Sequence, residues 1–337
     1  MTRVLISLIA LLLLPATASP ATAAPATAAP ASADLASADL ASADPASSAG
    51  SCRPVVNGTG PSLHPEGVTY DPIRHRFLVG SVTHGTVSRV APDGKAHTLV
   101  DDPWLITTMG LAVDRHRGRL LVTNADLGIA DRSKPETTRA FAGLGIYDLR
   151  TGRAIHRITL ATGRGHFAND VALAPDGTAY VTDSISGTIH RVTPNGTAST
   201  LVQHPDLAQP TTGGWGLNGI AHLGDKLVAA LSGARKLAVI PLANPSNVTT
   251  IAAAIGAPDG LLALGRNRLL LVDNTAANRI VEVRTEDNWQ SIEIVREVKW
   301  PDKAPTTLTN TPCGVYAVAG RLDVLPGRSD EFVLRKV

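Results

Sequence analysis

The sequence predicts an all-β fold: a six-bladed β-propeller with four-stranded blades around a central channel. Two observations carry the prediction. The chain repeats itself, since residues 86–100 (TVSRVAPDGKAHTLV) and 188–202 (TIHRVTPNGTASTLV) match at nine of fifteen positions. Their offset, 188 − 86 = 102, is about two units of roughly fifty residues, a period typical of radially repeated folds. Each unit also reads as a short apolar strand, a turn rich in Asp, Gly, Pro or Asn, and a second strand, with a third alternating stretch in most units. No stretch beyond the N-terminal region sustains a helical period over three turns. A parallel β-helix needs shorter repeats, and a β-sandwich does not generate this period.

The six units begin, in order, at GVTYDPIRHRFLVGSV, GLAVDRHRGRLLVTN, DVALAPDGTAYVTDSI, NGIAHLGDKLVAALS, DGLLALGRNRLLLVDN and CGVYAVAGRLDVLPG. They occupy residues 51–337. Before them, residues 1–23 read as a signal peptide: Arg3, an apolar run from Val4 to Leu14, then A-x-A patterns at Ala16–Ala18 and Ala21–Ala23. The run is too short to span a bilayer stably, so a secreted, extracellular protein is expected, with no membrane contact after signal removal. Residues 24–50 are Ala, Pro, Ser and Asp, including ASADL twice and ASADP, and read as a disordered linker.

The formal net charge of +2 comes from scattered Lys and Arg. With no basic stripe, a nucleic-acid partner is excluded, and the expected partner is a small molecule acted on by a monomer. The two cysteines, Cys52 and Cys313, flank the folded part of an exported chain, which suggests a disulfide. Cys313 also precedes Gly314 and an apolar stretch, the register of a channel-lining residue, so both readings stand.

That register holds the main functional signal. Glu66 in HPEGVTY, Asn169 in FANDVAL, Asn218 in GLNGIAH and Asp259 in APDGLLA each sit just before an apolar strand start. If the units are equivalent, these side chains converge on one ring, completed by Met109 and Cys313. Two carboxylates and two amide oxygens suit a hard cation, Ca²⁺ in the first instance or another divalent ion. No Cys/His cluster has zinc spacing. Asn-Gly and Asp-Gly are also common turn dipeptides, as at Asp93-Gly94, Asp176-Gly177 and Asn195-Gly196. Those three follow a proline between strands, whereas the four candidates share the unit-start register.

With these motifs the chain resembles the superfamily of six-bladed calcium-dependent propellers: gluconolactonase and senescence marker protein (regucalcin), diisopropylfluorophosphatase and the paraoxonases. PEGV carries Glu66, matching the first-blade Glu ligand. AND-V with the following YVTDS carries Asn169, LNGI carries Asn218 and PDGL carries Asp259. The resemblance implies a catalytic divalent metal in the channel and hydrolysis of a lactone or ester. It leaves the substrate open.

For the water-activating base, Asp259 is the first candidate, with His166 and His64 as alternatives near the channel mouth. Asp170 is expected to orient Asn169 from behind. Asp183, Asn124 and Asp273, which follow the second strand of three units, are expected to be structural. The stretch Asp126–Phe141 reads as an insertion able to cover the channel. Two other functions compete: a non-catalytic extracellular binding propeller with a structural metal, and a strictosidine-synthase-like condensing enzyme, which lacks the metal site.

Overall fold

The computed structural model describes residues 52–337, Ala253 excepted. The signal peptide and linker expected over residues 1–50 lie outside the described residues. The described chain is all-β with a propeller arrangement, carrying 24 strands and two short 3-10 turns.

The strands form four separate four-stranded sheets and one eight-stranded sheet. Six separate blades, expected from the repeats, are therefore not what the hydrogen bonding gives. The cause is local. Strand Ala140–Asp148 pairs in parallel with His166–Leu173, through Ala140 with His166 and Phe141 with Phe167. This two-residue ladder fuses the four strands from Thr107 to Thr162 with the four from His166 to Gln203.

Six inner strands surround the axis: Val68–Asp71, Thr107–Asp114, His166–Leu173, Leu217–His222, Pro258–Ala263 and Pro305–Thr311. Each packs on the next, and the last packs on the first. The apolar side chains of the expected strands fill the spaces between neighbouring sheets. Leu78 and Val87 meet Leu111 and Leu120; Leu121 and Ile146 meet Val171 and Val181; Val228 and Leu237 meet Leu269 and Val281. A sheet of this type buries one face against each neighbour, so its strands are apolar on both sides. Arg119–Ala125 and Lys226–Leu231 are buried at every position.

The ring is closed by both chain ends. Val55–Thr59 pairs with Glu331–Lys336 along five residues, so the last sheet draws strands from the start and the end of the domain. Cys52 and Cys313 are disulfide-bonded, with their Cα atoms 5.4 Å apart. Cys313 therefore does not line the channel, and that expectation is corrected. It lies in the tight turn between Pro305–Thr311 and Gly314–Ala319, and the apolar GVYAVA stretch is the second strand of its sheet. The inner strand is the Thr-rich PTTLTNT before it, which places Thr306 in the ring register.

Candidate metal centre

A backbone device aims the ring residues. In five inner strands the pairing with the second strand skips two residues: between Thr108 and Leu111, Ala168 and Val171, Leu217 and Ile220, Pro258 and Leu261, and Pro305 and Leu308. Met109, Asn169, Asn218, Asp259 and Thr306 each open such a bulge, which redirects a side chain out of the sheet's ordinary alternation. Glu66 takes the corresponding place just before Val68. These six side chains line one cavity of about 460 Å³. The residue after the ring position must often be glycine because the next sheet passes close by. A Cβ on Gly67 would lie 2.0 Å from the Met109 carbonyl oxygen, and one on Gly219 would lie 2.3 Å from that of Asp259.

Hydroxyls behind the ring fix which atoms face inward. Ser184 Oγ donates its only proton to the Leu217 carbonyl at 2.5 Å. Toward Asn169 it can then only accept, and Asn169 Nδ2 donates to it at 3.0 Å. Ser232 repeats the pattern, donating to the Pro258 carbonyl while accepting from Asn218 Nδ2 at 3.0 Å. Both amides are thereby oriented with their oxygens free, Asn169 with its nitrogen toward Ser184 and Asn218 with its nitrogen toward Ser232 and the Asp259 carboxyl. Asn274 Nδ2 donates to Asp259 Oδ2 at 3.0 Å, and Thr306 Oγ1 donates to the Glu66 carbonyl at 2.6 Å. Asn169 Oδ1 is buried and has no hydrogen-bond partner among the described residues. An orphaned buried acceptor costs about 1–3 kcal/mol unless something meets it.

The electrostatics add to this demand. Glu66, Asn169, Asn218 and Asp259 are each exposed by 6% or less. Burial, then the charges of Asp259 and Asp170, hold the Glu66 carboxyl well above its ordinary value. Burial also raises Asp259 to about 7, with the Asp170 charge adding and the Asn274 and Asn218 amides offsetting part. Asp170 itself is raised to about 6, chiefly by burial. Acidic groups that resist ionisation beside two free amide oxygens form a set of acceptors matched to a hard cation and ill-suited to an anion.

The remaining candidates fall elsewhere. Asp170 does not orient Asn169: Oδ1 accepts the N–H of Val171 at 2.8 Å and Oδ2 that of Ile220 at 3.1 Å. It ties one inner strand to the next, and the orienting role belongs to Ser184. His64 is buried with both nitrogens engaged, Nδ1 donating to the Arg321 carbonyl at 3.1 Å and Nε2 accepting from Ser329 N at 3.1 Å. That leaves it no free nitrogen for a proton from water. His166 lies outside the cavity lining, with Nδ1 held 2.6 Å from Asp183 Oδ2. Asp183, Asn124 and Asp273 are structural: each accepts the backbone N–H of a residue at the entry to an inner strand, Phe167, Ile106 and Ala257 respectively.

Apolar side chains rise above the polar floor. Met109 belongs to an inner strand, Val82 and Trp215 to loops at the strand ends, and Trp215 stacks on Phe167 with centroids 4.9 Å apart. Leu127 and Ile129 come from the insertion, which is an ordered wall. The Asp126 carboxylate gathers Gly128 N, Ser133 Oγ and Thr137 Oγ1 at 2.5–2.7 Å. Leu322 and Leu325 complete the rim from the C-terminal loop, which His64 pins to the first sheet through its two bonds.

No known protein-family model matches the chain. Core trichothecene cluster (CTC) protein 14 of Fusarium sporotrichioides is 36% identical over 81 residues, 24% of this chain and 21% of that protein; the match therefore spans about a fifth of that relative's length. Among solved structures, the major allergen Mala s 1 of Malassezia sympodialis superposes with a TM-score of 0.66 at 20% identity, covering 84% of this chain and 96% of that one. A gluconolactonase from Xanthomonas campestris gives a TM-score of 0.57 at 16% identity over 82% of this chain and 86% of its own. Virginiamycin B lyase from Staphylococcus aureus gives 0.52 at 16% over 84% and 99%. These likenesses establish the propeller fold.

Proposed function

We propose that this chain is a secreted, divalent-metal-dependent hydrolase of lactones or esters, of the gluconolactonase kind, with a Ca²⁺-type site in the channel of a six-bladed propeller. The blade count follows from taking the eight-stranded sheet as two blades, since its halves each supply one inner strand and share only a two-residue parallel ladder. Export is supported by the N-terminal apolar run and by the disulfide, a bond that persists in oxidising compartments. One observation carries the site: an inward-facing ring of acceptors, with Asn169 Oδ1 buried and unpartnered.

Glu66, Asn169, Asn218 and Asp259 would hold the metal, which when bound polarises a carbonyl and stabilises a developing oxyanion. The chain's own contributions can be assigned. Asn274 fixes the Asp259 carboxyl through Oδ2, and this carboxyl, raised to about 7, is the group that would take a proton from an attacking water. Ser184 and Ser232 hold the two amide oxygens at fixed positions without any reorganisation. The apolar rim limits bulk water at the floor, which strengthens every charge interaction there.

Purified protein assayed on a panel of lactones, aryl esters and phosphotriesters tests the proposal. Hydrolysis of at least one class, abolished by chelator and restored by Ca²⁺, is the expected result. Hydrolysis that ignores chelator would remove the metal-dependent mechanism, and bound metal with no turnover on any class would remove the catalytic reading and favour a binding propeller.

A further inference from the structure

We propose that the substrate is a lactone or ester bearing an apolar alkyl or aryl group, and that polyhydroxylated sugar lactones are poor substrates. This rests on the hydrolase reading above and narrows it to a substrate class. The observation is a division of the cavity between acceptors and hydrocarbon. On the floor, each amide NH2 already spends a hydrogen bond on the protein, as do the hydroxyls. Asn218 Nδ2 faces Ser232, Asn274 Nδ2 faces Asp259, and the hydroxyls of Ser232 and Thr306 face backbone carbonyls. Asn169 Nδ2 faces Ser184. What remains open on the floor is mainly acceptor: the Asn169 and Asn218 amide oxygens and the Glu66 and Asp259 carboxyls.

Above the floor the lining is mostly hydrocarbon, from Val82 and Met109, then Leu127 and Ile129, then Leu322 and Leu325, with Trp215 and the backbone of Gly214 and Gly233 on the remaining side. Among the described residues, the indole N–H of Trp215 is the only side-chain donor in this wall. A sugar lactone carries several hydroxyls, each of which needs partners when buried. One indole cannot serve them, and the aliphatic wall leaves the others unmet. An alkyl chain meets the opposite situation. Each methylene moved from water onto this wall strengthens binding about fourfold, so three methylenes give roughly sixtyfold.

The test is a homologous series of γ-lactones, from butyrolactone to decanolactone, with glucono-δ-lactone alongside, all in saturating Ca²⁺. Expected is a kcat/KM that rises about two- to fourfold per methylene over the first few carbons, with gluconolactone below the octanolactone. A flat chain-length dependence, or a preference for gluconolactone, overturns the proposal. Binding is read separately through Trp215 fluorescence, using 2-alkylcyclopentanones as non-hydrolysable probes and Trp215→Phe as the blank. If no lactone is hydrolysed but affinity for the ketones still rises with chain length, the hydrolase reading fails and the apolar cavity stands. If affinity for the ketones is also flat, the cavity inference fails on its own. Leu322→Asn and Leu127→Asn, each on a different wall, should flatten the chain-length slope to about twofold per methylene or less. A slope unchanged in both variants counts against the proposal.

Discussion

Replacing Asp259 with Asn should stabilise the protein in chelator and destabilise it in Ca²⁺. The first effect follows from the carboxyl's raised titration, from an ordinary value of 3.8 to about 7. A group whose folded-state value lies above its unfolded one contributes stability that is fully present below about pH 4. That stability is lost as pH rises toward 7 and absent beyond it. The interval corresponds to about 4 kcal/mol, undiminished by solvent because the side chain is 6% exposed. Asn is neutral throughout, keeps an acceptor for the Asn274 amide, and escapes the loss. For a domain of this size, about 4 kcal/mol moves Tm by roughly 10 °C. Thermal unfolding followed by circular dichroism from pH 4 to 9, with and without chelator, reads both effects. In chelator, wild type should lose stability between pH 4 and 7 while Asp259→Asn stays flatter. In Ca²⁺ the order should reverse at pH 8. A chelator-treated wild type indifferent to pH, or a variant less stable than wild type in chelator at pH 8, would refute the reasoning.

Other consequences are as direct. Ser184→Ala removes the acceptor that holds Asn169 Nδ2 outward, so Ca²⁺ affinity should fall about ten- to a hundredfold, with Tm lower by a few degrees because the Leu217 carbonyl loses its donor; unaltered affinity would show that the amide needs no such anchor. His64→Ala frees the C-terminal loop carrying Leu322 and Leu325 from the first sheet. KM for an apolar lactone should rise several-fold while Ca²⁺ affinity holds, and a loss of kcat at constant KM would instead argue for a direct part in chemistry. Reduction of Cys52–Cys313, or Cys313→Ser, removes a covalent link across 261 residues and should cost about 2–5 kcal/mol of stability. Calorimetry with and without reductant measures it, and an unchanged Tm would mean that the Val55–Thr59 strand closes the ring unaided.

Much of this architecture was legible in the sequence because a propeller repeats its own instructions. The turn-flanked apolar strands of five units stand where the spacing put them, and four oxygen-bearing side chains meet at one cavity as their shared register implied. The sixth unit was misread for a physical reason. Its inner strand, PTTLTNT, faces a polar channel with β-branched threonines, whereas the apolar GVYAVA beside it is buried on both faces as a second strand. Hydrophobicity therefore pointed one strand too far out, and β-propensity, which favours Thr, was the signal that could have placed Thr306. The serines behind the ring were equally invisible as a class. Ser184, Ser232 and Asn274 all follow the second strand of their units, in YVTDS, ALS and VDN, yet the serines' function appears only when the neighbouring sheet's carbonyl comes into reach, and that of Asn274 only when Asp259 does. Asp170 drew attention by adjacency to Asn169, but strand geometry sends consecutive side chains to different places. The parallel ladder at Ala140–Phe141 depends on the length of an insertion and has no sequence signature.

The central claim is that the acceptor ring binds a cation, and titration of Ca²⁺ into chelator-treated protein by isothermal calorimetry tests it most directly. One tight site per chain is expected, with binding lost in Glu66→Gln and Asp259→Asn while both variants remain folded by circular dichroism. Wild-type protein that takes up no divalent cation, or variants that bind as tightly as wild type, would contradict it.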